Sequence, residues 1–134
     1  MIVVDSSVWI ANLRGEDRPA VAYLNGARPS SIIVGDIVML EVLRGALDEQ
    51  HAQGIERRLR RFRVEPMLGA NIAALAARHY RLLRGVGITM RKGPDLVIAT
   101  YCIARRYALL HDDRDFDPLV DWLGLRVVET RARP

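Results

Sequence analysis

Residues 1–13 of the chain, MIVVDSSVWIANL, contain the junction that decides the fold class. Their β-branched run, Ile2-Val3-Val4, is typical of a buried strand in a parallel sheet. Asp5, which two serines follow, predicts the cap of a helix that continues through Leu13. The chain therefore begins with a short strand that passes directly into a helix, and a carboxylate occupies the junction.

The alternation of strands and helices continues along the chain. Short apolar runs predict further strands at residues 31–34, 64–66, 108–111 and 125–128. Apolar residues at helical spacing predict helices at about residues 19–25, 37–44, 48–62, 71–84 and 95–106, with a loop at 85–94 and a polar turn at 112–117. This order predicts an α/β fold with a central parallel sheet that helices cover on both faces.

Length and composition predict one compact domain with a polyanionic partner. Of the 134 residues 50% are hydrophobic, which is enough for a single core. We assign one domain to residues 1–130 and a frayed tail to residues 131–134. The net charge of +4 and the pI near 9.8 favour nucleic acid or anionic lipid as a partner. Cys102 is the only cysteine, and we expect a buried core thiol. The sequence has no apolar run that could span a membrane and no recognisable leader, so we expect a cytoplasmic protein.

Four acidic residues are placed where their side chains are expected to meet. Asp5 and Asp113 follow strands, Asp95 begins a helix, and Glu41 lies in the helix after the second strand. In an open parallel sheet, ligands bind beyond the carboxyl ends of the strands, so acids at those ends converge although they are distant in sequence. Carboxylates that share a pocket repel one another unless a cation neutralises them, and their hard oxygen atoms suit Mg²⁺ or Mn²⁺.

Each acid also has a purely structural interpretation. Asp5 and Asp95 are equally consistent with helix caps. Glu41 lies in the apolar stretch of residues 37–43, where an unpaired charge is costly, and Arg44 is a candidate ion-pair partner three residues later. The acids of the turn at 112–117 are consistent with solvated turn residues.

Four segments of the chain resemble the acidic motifs of PIN domains. They are the opening strand with Asp5, IVGDIVMLEVLRG at 33–45, KGPDLVIA at 92–99 and LLHDDRDF at 109–116. An Asp after a strand is common, but four such motifs in the right order, over nearly the whole chain, make a specific signal.

The resemblance implies a fold, an activity and partners. The fold is a PIN-like three-layer α/β/α arrangement, and the chain is implied to be a homodimer. Asp5, Glu41, Asp95 and Asp113 are implied to bind Mg²⁺ or Mn²⁺ for RNA hydrolysis by water, which leaves a 5′-phosphate and a 3′-hydroxyl. A small standalone chain of this kind is implied to be the VapC-type toxin of a type II toxin–antitoxin pair, inhibited by a VapB-like antitoxin.

The fourth acid and its neighbours are assigned by alignment with the same motifs. The family's last acid aligns best with Asp113, which lies nearest to the end of the strand. Asp115, and less well Asp112, is close enough to share or replace it, and Asp115 is a candidate to accept hydrogen bonds within the turn. Ser7 matches the small hydroxyl residue that supports the first acid, and it is a further candidate for substrate contact. His111 stands where a Thr or Ser often precedes the last acid, and we expect it to support the site rather than to catalyse.

Basic residues are the candidates for RNA contact. Arg91 and Lys92, on the loop before the last predicted helix, are the stronger ones. The denser cluster at residues 57–63 is consistent with RNA contact, a solvated helix face or a docking surface. Trp9 is close enough to the first acid to stack a base, although core or dimer packing is the preferred interpretation.

Other classes of function are weaker matches to this sequence. A non-catalytic PIN-fold module that binds RNA or protein is the main alternative, and the intact acids at all four motif positions argue against it. A phosphatase of the dehalogenase type uses a second acid two residues after the first, where this chain has Ser7. The glycine-rich loops of nucleotide-binding enzymes are absent from the sequence.

Overall fold

A parallel sheet forms the centre of the molecule. The structure, a computed structural model, describes residues 1–130. The strands are β1 (Ile2–Val4), β2 (Ile32–Gly35), β3 (Arg63–Glu65) and β4 (Ala108–Leu110), and they lie in the order β3-β2-β1-β4. Every pairing between these strands is parallel. The predicted parallel sheet is therefore confirmed.

Helices connect the strands and lie between them in sequence. In the described part of the chain the α-helices are α1 (Ser6–Leu13), α2 (Pro19–Gly26), α3 (Asp36–Arg44), α4 (Glu49–Leu59), α5 (Ala70–Gly85), α6 (Gly93–Arg105) and α7 (Asp117–Leu123). Short 3₁₀ helices cover Pro29–Ser31 and Arg114–Phe116. The predicted helices are confirmed, although α4 ends at Leu59 rather than near residue 62 and α6 begins at Gly93 rather than at Asp95. None of the described helices is long and apolar enough to cross a membrane.

Both faces of the sheet are buried. Successive side chains of a strand point to opposite faces, so a strand that is buried at every position needs cover on both sides. All four residues of β2 are buried, as are Val3 and Val4 of β1 and Leu109 and Leu110 of β4. The helices therefore form a layer on each face, and the expected three-layer α/β/α arrangement is confirmed.

The last described segment differs from the prediction. The strand predicted at residues 125–128 is wrong, because within residues 1–130 only Val127 forms a bridge, which is parallel to Leu109 of β4. Helix α7 lies just before it and is absent from the prediction. It begins at the edge of the predicted turn and ends at Leu123. Its C-cap, Gly124, has a φ of 73°, a left-handed conformation that favours glycine. The tail predicted at residues 131–134 lies outside the described residues.

The carboxyl ends of the strands meet at one edge of the sheet. The backbone N–H of Asp5 donates to the carbonyl oxygen of Leu110 at 2.9 Å, which continues the pairing of β1 with β4 up to the first acid. At the end of β2, the Met67 side chain packs so closely on Gly35 that a Cβ there would overlap its sulfur. The strand ends are thus held in a fixed arrangement beneath the acidic side chains.

Candidate metal centre

Asp5 combines a structural role with an unsatisfied oxygen atom. It is the N-cap of α1, and its Oδ2 accepts hydrogen bonds from the backbone N–H of Ser7 at 3.1 Å and from the Ser7 hydroxyl at 2.6 Å. The residue is only 2% exposed, and its Oδ1 is buried without a hydrogen-bond partner. Burial raises the pKa of Asp5, although the hydrogen bonds from Ser7 lower it in part. The cap interpretation therefore accounts for one oxygen and leaves the other for a cation.

Asp95 has no capping role. Helix α6 begins at Gly93, with Lys92 at the N-cap, so the predicted start of the helix at Asp95 is wrong and the carboxylate lies inside the first turn. The residue is 5% exposed, and its Oδ2 has no hydrogen-bond partner. Burial raises the pKa of Asp95 to about 7, and the negative charges of Asp5 and Asp113 contribute further. A carboxyl group with this pKa is only partly ionised at neutral pH, and a neighbouring cation would favour its ionised form.

Glu41 is the third acid with an unpartnered oxygen. It lies on α3, is half-buried, and its Oε1 forms no hydrogen bond. Burial raises the pKa of Glu41, and the charge of Asp5 adds to that effect. Arg44 is exposed and forms no ion pair with Glu41 among residues 1–130. A hydrogen bond from Ser6 and the more distant charge of Arg44 lower the pKa of Glu41 only in part.

Asp113 and Asp115 complete the acidic side of the site. Carboxylate oxygens of Asp95, Asp113 and Asp115 lie within 4.8 Å of one another, close enough to share one metal ion. The Nζ atom of Lys92 lies 3.5 Å from Asp113 Oδ2 and 3.2 Å from Asp115 Oδ2. The negative charges of Asp5, Glu41 and Asp113 all raise the pKa of Asp95, so these acids lie near one another. We call Asp5, Glu41, Asp95, Asp113 and Asp115 the acidic cluster.

The donor set of the acidic cluster fits a hard divalent cation. The unpartnered atoms are all carboxylate oxygens, Oδ1 of Asp5, Oε1 of Glu41 and Oδ2 of Asp95. Oxygen-only sites with several negative charges suit Mg²⁺, Mn²⁺ or Ca²⁺, whereas sulfur and imidazole ligands favour other metals. Cys102, the only cysteine of the chain, is buried and has its pKa raised to about 12 by that burial, so it is the inert core thiol that we expected.

The turn after β4 is organised by Asp113 rather than by Asp115. Asp113 is the N-cap of the 3₁₀ helix, and its Oδ1 accepts from the backbone N–H of Asp115 at 2.9 Å. The prediction that Asp115 accepts hydrogen bonds within the turn is therefore wrong. Asp112 forms an ion pair with Arg18 at 2.9 Å, which gives its carboxylate a partner on the loop before α2.

His111 and Ser7 hold the acids in place. The Nδ1 of His111 accepts from the backbone N–H of Asp113 at 3.1 Å, and its ring packs 4.9 Å from that of Phe116. Burial lowers the pKa of His111, although nearby acids raise it in part, which favours a neutral supporting residue. The Ser7 hydroxyl donates to Asp5 and accepts from the backbone N–H of Asp112 at 3.2 Å. It thereby links the ends of β1 and β4, which favours support of Asp5 over substrate contact.

The predicted basic candidates differ in how they are engaged. Lys92 faces the acidic cluster, whereas Arg91 is exposed and has no ion pair in the described part of the chain. Within the cluster at residues 57–63, Arg60 pairs with Glu56 and Arg63 pairs with Glu65. That cluster is therefore partly neutralised by its own helix and strand.

Trp9 is a core residue rather than a stacking platform. It is 4% exposed, and its ring packs edge to face on Phe62 with centroids 5.1 Å apart. The preferred interpretation, packing in the core, is confirmed.

The sequence prediction missed two buried polar pairs. The hydroxyl of Tyr101 donates to Glu65, and Arg63 Nε lies 2.7 Å from the other carboxylate oxygen of Glu65. The Nδ1 of His79 lies 3.0 Å from the hydroxyl of Thr100 across the packing of α5 on α6. Glu65 ends β3, so its place at a strand end was a visible signal for a buried acid. Unlike the acids of the cluster, however, it has an arginine and a tyrosine as partners.

Fold and site together define the class: a three-layer α/β protein whose acidic cluster lies at the carboxyl edge of a parallel sheet. The chain belongs to the PIN domain family, whose model matches residues 2–120. Ribonuclease VapC11 of Mycobacterium tuberculosis is 29% identical over 137 residues, which cover 98% of this chain and 100% of that protein. The resemblance to PIN domains that the acidic motifs suggest is thus confirmed.

Solved structures show the same fold. FitAcB from Neisseria gonorrhoeae aligns with a TM-score of 0.75 at 19% identity, over 97% of this chain and 98% of that one. VapBC2 from Rickettsia felis, bound to a DNA fragment from its promoter, aligns with a TM-score of 0.74 at 19% identity, over 96% and 98% of the two chains. At this identity the similarity supports the fold and not the details of the site.

Proposed function

We propose that this chain is a divalent-metal-dependent endoribonuclease and the toxin of a type II toxin–antitoxin pair. The observation that carries the proposal is the set of three buried carboxylate oxygens, on Asp5, Glu41 and Asp95, that have no hydrogen-bond partner. Buried charge without a partner is costly, so its presence at the carboxyl edge of the sheet supports a cation-binding role. The named activity of the VapC relatives supports RNA as the substrate.

The residues have distinct roles in this proposal. Asp5, Glu41, Asp95 and Asp113 hold Mg²⁺ or Mn²⁺, and Asp115 lies at the outer side, where it is 54% exposed against 27% for Asp113. A bound divalent cation supplies an acidified water and neutralises negative charge on the phosphate. Ser7 and His111 fix the orientation of the acids through their hydrogen bonds.

The charge of the acidic cluster also suggests how an antitoxin inhibits it. A VapB-like partner that inserts an Arg or Lys side chain would satisfy the carboxylates and exclude the metal. Lys92 supports this idea, because its ammonium group already contacts Asp113 and Asp115. A complex in which the cluster remained open to solvent would reject this mechanism.

We further propose that the toxin is a cytoplasmic homodimer and that residues 1–130 form its single domain.

Cleavage of RNA by the purified protein tests the proposed activity. We expect a mixed pool of RNA to be cut in Mn²⁺ or Mg²⁺ and to stay intact in EDTA. Asp5→Asn should abolish cleavage and keep the fold, because Asn caps a helix about as well as Asp. Asp17→Asn is the matched control, since Asp17 is exposed and belongs to no described ion pair. RNA binding without cleavage in either metal would instead support a non-catalytic module.

A further inference from the structure

A cavity of about 210 Å³ lies at the amino edge of the sheet, away from the acidic cluster. Helices α1 and α2, the end of α4 and the turns that lead into β2 and β3 form its lining. Pro29 and Phe62 of this lining lie just before those strands begin, whereas Asp5 and Asp113 follow strand ends. We call it the amino-edge cavity, formed by residues within 9–13, 24–29 and 58–62.

Apolar side chains form much of the lining. Trp9, Leu24 and Leu59 are buried, and Leu13 and Phe62 are half-buried. Removing such surface from water favours an occupant with an apolar body. The volume is below the range of about 300–1,000 Å³ that is usual for drug-sized ligands, so this body is small, about the size of one substituted ring.

Two arginines without acidic partners also line the amino-edge cavity. Arg58 and Arg61 are exposed and form no ion pair among residues 1–130, unlike Arg60, which pairs with Glu56. No acidic residue belongs to the lining in the described part of the chain. Guanidinium groups bind carboxylates through paired N–H donors, so the charge of the cavity favours an anion.

Polar groups of the lining favour an occupant that carries hydrogen-bond acceptors. Nε1 of Trp9 is buried and has no hydrogen-bond partner among the described residues. Asn12 Nδ2 donates to Asn25 Oδ1 at 2.9 Å, and that bond leaves a further amide N–H on each residue. A purely apolar occupant would leave such donors unmet at a cost, whereas a carboxylate supplies acceptors for them.

We propose that the amino-edge cavity binds a small amphipathic organic anion. Its apolar body packs on Trp9, Leu24 and Phe62, and its carboxylate pairs with Arg58 and Arg61. The cavity is separate from the acidic cluster, so the inference goes beyond the proposed ribonuclease function and does not depend on it. An occupant that contacts α1, α2 and α4 together stabilises the folded chain, because the unfolded chain has no such site.

Titration with phenylacetate tests the proposal. The chain has two tryptophans, so Trp122→Phe at an exposed position leaves Trp9 as the only source of an indole N–H signal in heteronuclear NMR spectra. Phenylacetamide, which has the same ring without the charge, and inorganic phosphate, which has charge without the ring, are the matched probes. In this background, Arg58→Gln and Arg61→Gln are compared with Arg57→Gln, which removes an exposed charge of α4 outside the lining.

Phenylacetate should shift the Trp9 indole signal in a saturable manner. We expect a Kd of about 1 mM, which is reasonable for a ligand of about ten non-hydrogen atoms, and at least about fivefold weaker binding of both matched probes. Arg58→Gln and Arg61→Gln should each weaken phenylacetate binding about twofold to fivefold, the usual contribution of an exposed ion pair, and Arg57→Gln should match the parent. Ala27→Leu, which adds a larger side chain to the lining, should abolish binding.

Several outcomes would overturn the proposal. The anion site is wrong if the Trp9 signal does not move, if phenylacetamide binds as well as phenylacetate, or if Arg58→Gln and Arg57→Gln bind alike. If a blocked acidic peptide containing phenylalanine binds and phenylacetate does not, the cavity is a docking surface for a protein and the proposal fails. Phenylacetate should also raise the melting temperature of the parent but not of Ala27→Leu, and the same melts show whether each variant is folded. RNA cleavage by the parent, assayed separately, tests the proposed function whatever these titrations show.

Discussion

Replacing Asp95 by Asn should stabilise the protein at neutral and alkaline pH when no divalent cation is present. The pKa of Asp95 is raised from 3.8 to about 7, mainly by burial and secondly by Asp5 and Asp113. Below pH 4 the carboxyl group is protonated in both the folded and the unfolded chain and costs nothing. Between pH 4 and 7 the unfolded chain ionises first, so the wild type loses stability as the pH rises, and the loss is complete above pH 7.

The size of the effect follows from the pKa. A rise from 3.8 to about 7 corresponds to roughly 4 kcal/mol, since a change of one in pKa is about 1.36 kcal/mol. The Asn amide is itself buried, and its own unmet hydrogen bonds cost about 1–3 kcal/mol of this gain. We therefore expect Asp95→Asn to raise the free energy of unfolding at pH 8 by about 1–3 kcal/mol. For a domain of this size the melting temperature should rise by about 3–5 °C for each kcal/mol.

Thermal unfolding in EDTA at pH 4, 6 and 8 measures this difference. In a second series, in excess Mn²⁺, we expect the stability advantage of Asp95→Asn over the wild type to disappear or change sign. A cation that binds only the folded state stabilises it by about 2.7 kcal/mol at a hundred times its Kd, and Asp95→Asn should gain much less than the wild type. Asp17→Asn should follow the wild type in both series. If the difference between Asp95→Asn and the wild type stays constant from pH 4 to 8, or if Mn²⁺ stabilises the two equally, Asp95 is not a strained ligand.

Three further substitutions test individual contacts of the site. Asp113→Asn should lower the affinity for Mn²⁺, measured by calorimetry, more than Asp115→Asn does. The reason is that Asp113 is the less exposed acid and raises the pKa of Asp95. The reverse order of affinities would show that Asp115 is the fourth acid. Lys92→Met should raise the Mn²⁺ affinity by about twofold to thirtyfold, because its two exposed ion pairs contribute about 0.2–1 kcal/mol each. An unchanged affinity would show that Lys92 does not compete with the metal. Tyr101→Phe should lower the free energy of unfolding by about 1–3 kcal/mol, because it removes the hydroxyl that donates to a buried acid, and no loss in urea unfolding would contradict that role.

The parts of the fold that local sequence determines were predictable. The run from Ile2 to Val4 and the Asp5 cap are adjacent in sequence, so strand β1, helix α1 and their junction follow from local preferences. The end of the domain depends on distant contacts instead. Residues 125–128 have the composition of a strand, but their pairing with β4 is limited to one bridge, at which Leu109 forms backbone hydrogen bonds with Arg126 and Val128 on either side of Val127. Helix α7 is too short for its periodicity to be distinct.

The sequence predicted which acids form the site, but it did not predict which atoms each of them contacts. Asp5 and Asp113 follow strands, whereas Asp95 lies in the first turn of α6 and Glu41 lies inside α3. The carboxyl ends of parallel strands share one edge of the sheet, so acids near those ends are brought together. Hydrogen bonds inside the turn after β4 depend on backbone angles that the spacing of Asp113 and Asp115 does not fix, so the capping role was assigned to the wrong residue. Tyr101 and Glu65 are 36 residues apart, and no local pattern indicates that they meet.

The contrast between Glu65 and the acidic cluster implies that the proposed cation binding would be coupled to the stability of this protein. Both are buried carboxylates at the same edge of the sheet. Glu65 accepts a hydrogen bond from Tyr101, and its Oε1, although it forms no hydrogen bond, lies in an ion pair with Arg63. Oδ1 of Asp5 and Oδ2 of Asp95 have neither a hydrogen bond nor an ion pair among the described residues. If side chains of the protein itself paired with these carboxylates, the fold would be more stable but the cluster could no longer bind a metal ion. The carboxylates must therefore stay unpaired, at a cost in stability, if the cluster is to bind a cation. A divalent cation and an inserted basic side chain of an antitoxin would then compete for the carboxylates of the cluster, with the Lys92 ammonium group as a further competitor at Asp113 and Asp115. Whichever of them binds would set both the stability of the folded chain and the proposed activity.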